Sequence, residues 1–112
     1  MQENRKNRRY QTLARVRIPG VLEGETLLKD MSVTGCCVEC TSLLDIKPDT
    51  QYRLEIFPEG ASHIGNFELF VESKWIRAGN YSNEVGFNIV ASPKGKLFQR
   101  YVDYLDWRHS EK

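Results

Sequence analysis

Four stretches of this 112-residue chain alternate apolar with other residues one for one, and no other feature narrows the accessible folds as far. Ala14, Val16 and Ile18 fall on one side of the first, with Arg15 and Arg17 opposite. Tyr52, Leu54 and Ile56 alternate with Arg53 and Glu55. Phe67, Leu69, Val71, Ser73 and Trp75 hold one side of a longer run, and Val85, Phe87 and Ile89 one side of the last. Successive side chains of a β-strand point to opposite faces, so each run predicts a strand with one buried and one wet face. Pro19-Gly20, Pro48-Asp49, Pro58-Glu59-Gly60 and Gly79-Asn80 separate them as turn signals. Two more strands are expected over residues 23–31 and 35–41, with a short corner between them.

The period changes at the C-terminal end. Ser92 reads as a helix N-cap with Pro93 at the first helical position, and Leu97, Tyr101, Tyr104, Leu105 and Arg108 then recur at three- and four-residue intervals. One amphipathic helix is expected over about 93–109, with a first turn weakened by Lys94 and Gly95, so that its start can fall one or two residues beyond the cap. Residues 1–12 lack periodicity and have only Tyr10 as a large apolar residue, so they read as a flexible basic arm. Residues 13–112 then form one domain. Six short strands closed by a helix predict an all-β-dominated fold, a six-stranded antiparallel β-barrel, because closure removes the exposed edges an open sheet would have to protect.

Composition excludes several classes. With 40% hydrophobic and 28% charged residues the chain is ordinary globular material. Its apolar runs are about three residues long, against the roughly 20 of a spanning helix, so a cytoplasmic protein without a membrane span is expected. Cys36, Cys37 and Cys40 are odd in number, and the two histidines, His63 and His109, are isolated, so neither a disulfide framework nor a four-ligand zinc site assembles. On a strand, Cys36 and Cys40 share a face with Val38 while Cys37 points the other way, and the reading taken is of small buried side chains. The Gly-x-Ser-x-Gly elbow, the phosphate-binding glycine loop and the His-Glu-x-x-His pair are all missing. The chain reads as a non-enzyme, with no catalytic residue, metal or cofactor.

Charge is unevenly placed. Residues 1–17 carry six basic side chains against Glu3, or +5, while the remainder sums to −4. Such an arm reads as an anion binder. Within it Arg5 and Arg9 are four apart, and guanidinium forks suit phosphates and the O6/N7 edge of guanine. A second cluster, Asp30-Met31-Ser32-Val33-Thr34-Gly35, sits at the expected corner between strands. It offers a carboxylate able to accept from guanine N1–H and N2–H₂, two hydroxyls, and a glycine that permits close approach. Taken singly, the arm is also compatible with a solvated tail and the corner with an Asx-type turn.

Together the two clusters resemble the PilZ domain family of bacterial cyclic di-GMP receptors. The family pattern, Arg-x-x-x-Arg and then, about twenty residues on, Asp/Asn-x-Ser-x-x-Gly, is matched by Arg5, Arg9, Asp30, Ser32 and Gly35. Downstream, Glu72-Ser73-Lys74-Trp75-Ile76-Arg77 looks like the family's late strand, and Glu84-Val85-Gly86-Phe87 like its glycine-rich strand, with Glu84 in the first glycine's place. The resemblance implies a split-barrel-like fold and a two-sided clamp. Arg5 and Arg9 would bind phosphates and guanine edges, Asp30 and Ser32 would hold a base, and Gly35 would keep the turn tight. Asn4, Arg8, Thr34 and Trp75 are further candidate contacts. Trp75 is read first as core, and Asn4 occupies the neighbourhood that in the family influences whether one ligand or an intercalated pair binds. The function implied is a receptor whose arm orders over the barrel and which relays the signal to an effector protein, for example in motility, adhesion or biofilm formation.

Two rivals stand beside it. A small barrel binding RNA or single-stranded DNA would also use a cationic arm and aromatics, but an acidic body argues against a long polyanion. A PilZ-like adaptor without ligand is disfavoured by retention of both motifs. An effector is expected to dock on the ordered arm or on the helix face bearing Arg100, Asp103 and Asp106.

Overall fold

The computed structural model describes residues 8–21, 26–41, 46–93 and 95–110. Its elements run β1 (Tyr10–Gln11), β2 (Arg15–Arg17), β3 (Thr26–Met31), β4 (Gly35–Cys40), β5 (Gln51–Phe57), β6 (Phe67–Ala78), β7 (Asn83–Ala91) and α1 (Gly95–Ser110). Every strand pairing is antiparallel, and around the sheet the order is β3-β2-β5-β6-β7-β4, closed by a β3–β4 ladder. Among the described residues the protein is thus a closed six-stranded barrel with one extra strand and a single C-terminal α-helix.

The inward faces match the alternation. Ala14, Val16, Ile18, Leu54, Ile56, Phe67, Leu69, Val71, Val85 and Phe87 are all buried in one cluster. Cys36, Val38 and Cys40 join it while Cys37 does not, as strand geometry demands. Helix α1 closes one side with Tyr101, Val102 and Leu105, each fully buried, and Phe67 meets the rings of Phe98 and Tyr101 at 6.1 and 5.9 Å. Val102, three residues before Leu105, belongs to this face as well, although the sequence reading did not name it. The Glu59 carboxylate locks this helix down by accepting from Tyr101 Oη at 2.7 Å and from Arg108 Nη1 at 2.8 Å. Among the described residues no helix is long and apolar enough to cross a membrane.

Three expectations are corrected. The arm does not extend to residue 12: Tyr10 and Gln11 pair with Met31 and Asp30 as the extra strand, and Tyr10 is 2% exposed. A single large ring was enough to dock this stretch, because its hydroxyl also donates to Asp106 at 2.8 Å. The helix begins at Gly95, within the one- or two-residue delay that a weak first turn at Lys94 and Gly95 implies, but the Ser92 hydroxyl is buried with no hydrogen-bond partner among the described residues, so it does not act as the cap.

Trp75 is the third correction, since it is 41% exposed and not core. In the β6–β7 ladder Ser73 faces Phe87 and Trp75 faces Gly86, so Lys74 is an extra residue. A bulge of this kind reverses the phase of the strand. Before it Phe67, Leu69, Val71 and Ser73 point inward; after it Ile76 packs against the core and Trp75 turns out.

Candidate functional site

The corner between β3 and β4 is held by Ser32. Its N–H donates to the Gly35 carbonyl at 2.8 Å, and its Oγ accepts from the N–H groups of Thr34 at 3.2 Å and Gly35 at 3.1 Å. Ser32 is 2% exposed, so its hydroxyl shapes the turn rather than facing solvent. Thr34 is exposed at the tip, with its hydroxyl 3.3 Å from that of Ser32.

Asp30 is left to face outward. A register shift between Leu28 and Asp30 makes Lys29 the extra residue of β3, which puts Met31 into the core and Asp30 on the outer face. There Arg9 Nη1 donates to Asp30 Oδ1 at 2.8 Å, with side-chain exposures of 49% and 25%. The two halves of the sequence pattern, 21 residues apart, therefore meet as an ion pair. Gly35 completes the contact: a Cβ there would lie 2.8 Å from the Phe87 carbonyl oxygen and 3.2 Å from Arg9 Nη2. Only a glycine lets β7 and the Arg9 guanidinium come this close. Arg5 and Asn4 lie outside the described residues.

Beyond Asp30 the outer face continues across the barrel. Asp30 pairs with Cys37, Cys37 with Gly86, and Gly86 with Trp75. The Trp75 indole packs against Gly86, where a Cβ would come within 2.2 Å of its ring. The Arg77 guanidinium sits 5.0 Å from the ring centroid, a cation–π stack. The floor is thus small residues, bounded by Arg9 and Asp30 on one side and by Trp75 on the other. Burial pushes the Cys36 thiol up to about 12 and the Cys37 thiol up to about 11, so neither is a ready nucleophile or metal ligand. Among the described residues no group of three or more His, Cys, Asp and Glu is placed to hold a metal ion.

No family model matches the chain, and no curated protein matches it significantly. Its fold does have a solved counterpart. The structure of the Bacillus subtilis inhibitor of motility (MotI/DgrA) superposes with a TM-score of 0.77 at 20% identity, over 93% of this chain and 50% of that one. This chain spans about half the length of that protein, and the likeness is one of fold.

Arg8 faces away from the corner. Its Nη2 lies 3.1 Å from His109 Nε2 and its guanidinium 5.9 Å from the Tyr10 ring, so it joins the end of α1. Arg108 adds a bond to the Gln11 carbonyl. Successive residues 8, 9 and 10 alternate between helix and barrel, as an extended backbone requires. Sequence reading missed this tie to the helix: Tyr10 was its visible signal, but Asp106 and His109 lie about a hundred residues on.

Proposed function

We propose that this chain is a PilZ-type receptor for cyclic di-GMP, a binding protein and not an enzyme. The observation that carries the reading is the 2.8 Å contact between Arg9 and Asp30. A guanylate unit presents two converging N–H donors on its base and an anion on its phosphate. The Arg9–Asp30 pair presents the complement of both, on an outer face beside a turn held open for close approach. On binding, the guanine edge takes the Asp30 carboxylate and Arg9 turns to phosphate or to the O6/N7 edge. Ser32 and Gly35 act by shaping the corner, Arg5 supplies the second guanidinium, and Trp75 offers its exposed edge.

The same exchange supplies an output. Moving Arg9 strains its neighbours Arg8 and Tyr10, which hold His109 and Asp106 at the end of α1. The end of this helix and the arm beside it form the surface that changes with ligand and that an effector protein reads. The fold shared with an inhibitor of motility supports motility as the output to examine first.

Isothermal calorimetry of the full chain with cyclic di-GMP tests the reading. Arg9→Ala and Asp30→Ala should each weaken binding by about tenfold or more, since a hydrogen bond to a charged group contributes about 1.5–3 kcal/mol. Affinity should also fall with added salt. No heat from the wild type at micromolar protein, or unchanged affinity in both variants, would overturn the assignment.

A further inference from the structure

We propose that Glu84, with Lys29 and Arg77, forms the second half of the ligand site, so that one cyclic dinucleotide spans two carboxylate–cation pairs on the same outer face. The inference rests on the cyclic di-GMP reading and adds to it residues outside both sequence motifs.

Glu84 faces outward one row along from Gly86, paired across the ladder with Glu39 on β4 and Arg77 on β6. Its two oxygens are taken by different cations: Lys29 Nζ lies 2.5 Å from Oε2, and Arg77 Nη1 lies 3.5 Å from Oε1. The bulge that turns Asp30 outward is the same one that releases Lys29 toward Glu84. The face therefore carries two pairs of the same kind, Arg9 with Asp30 and Lys29 with Glu84, and Arg77 links the second to the Trp75 ring. Cys37 lies between them; its thiol feels Asp30 and Glu84 as raising influences and Lys29 and Arg9 as lowering ones. Glu39 is engaged differently, its carboxylate accepting from the neutral Ser82 hydroxyl at 2.8 Å.

Geometry and chemistry agree on what two such pairs would hold. Two strand spacings across and two residues along put the Cα atoms of Asp30 and Glu84 roughly 12 Å apart, so two bases do not compete for one space. A hollow of about 300 Å³ beside Glu84 is lined by Arg77, Gly79, Asn80, Tyr81 and Ser82. A cyclic dinucleotide of guanylates brings two donor edges and two phosphates, one set for each carboxylate and its cations. Adenine at Glu84 would set its unprotonated N1 against a carboxylate oxygen, so this half selects guanine.

The test compares cyclic di-GMP with the hybrid 3′,3′-cyclic GMP–AMP by calorimetry on the full chain, with thermal unfolding to verify the fold of each variant. The wild type should bind one cyclic di-GMP per chain, about tenfold or more tighter than the hybrid. Glu84→Gln should weaken cyclic di-GMP about tenfold and bring the two ligands within about threefold of each other. Arg77→Ala, at a side chain 68% exposed, leaves the barrel intact and should weaken cyclic di-GMP about fivefold. A folded Glu84→Gln or Arg77→Ala with wild-type affinity, wild-type selectivity in Glu84→Gln, or two ligands per chain overturns the second half-site. If Asp30→Ala still weakens binding about tenfold or more in that case, the receptor reading stands alone. A wild type that binds neither ligand overturns both.

Discussion

Replacing Gly35 by alanine probes the corner on which the site depends. Gly35 has no positive φ, so the effect is steric and not conformational. The added methyl would sit 2.8 Å from the Phe87 carbonyl oxygen, in the middle of β7, where Phe87 is paired with Cys36. That oxygen retreats only if β7 moves away from β4. Overpacking of this kind costs about 1–3 kcal/mol, offset by about 0.4–1 kcal/mol from the stiffer unfolded chain. The mid-range net loss, about 1.3 kcal/mol, corresponds to a Tm lower by about 5 °C for a domain of this length. The methyl also lies 3.2 Å from Arg9 Nη2, so the guanidinium must shift by a few tenths of an ångström and, on the receptor reading, cyclic di-GMP affinity should fall with stability. Gly60→Ala is the control, with nothing within 4 Å of the new methyl, and should leave Tm unchanged or raise it by a few degrees. Differential scanning calorimetry reads both. A Gly35→Ala protein melting within about 1 °C of wild type would refute the claim that β4 and β7 are held at contact distance here.

Ser73→Ala should lower the urea midpoint by the equivalent of about 1–3 kcal/mol, since the fully buried Ser73 Oγ accepts from Thr50 N–H at 3.1 Å and donates to the Lys47 carbonyl at 2.5 Å; an unchanged midpoint would mean water replaces the hydroxyl. The buried thiols predict an alkaline limit. Cys36 and Cys37 are raised from 9.0 to about 12 and about 11, chiefly by burial. Their neutral forms therefore contribute stability that is fully present below pH 9.0 and is lost as pH rises through the folded values. Tyr101, raised by burial and by its bond to Glu59, acts in the same direction. Urea midpoints should fall between pH 8 and pH 10.5, and iodoacetamide labelling at pH 8 should follow unfolding; rapid labelling of the native protein would contradict the burial of both thiols.

Much of the barrel was legible because alternation is a local property. Val16, Leu54, Leu69 and Phe87 could be assigned to the inside from their neighbours alone, and each is buried. The alternation failed at Trp75 for a reason outside its own strand. Whether Lys74 is accommodated as an extra residue depends on what β7 offers opposite it, and Gly86 offers the space that an indole needs. The glycine was visible in the sequence; its partner was not. Tyr10 was visible too, as a lone ring in a polar arm, yet only the position of Asp106 on the docked helix turns that ring into an anchor.

By itself, then, the sequence determined the six barrel strands, their turns, most of the buried faces and the types of residue available at the β3–β4 corner. It did so because a side chain's face on a strand follows from counting by two along one segment. The tertiary structure decided which charges meet. Arg9 reaches Asp30 across 21 residues through the β1–β3 pairing and Lys29 reaches Glu84 across 55 through barrel closure, and a one-residue bulge in β3 sets the faces of Lys29 and Asp30. Register between strands is a property of two segments at once. A single extra residue on either one exchanges every outward side chain beyond it for an inward one.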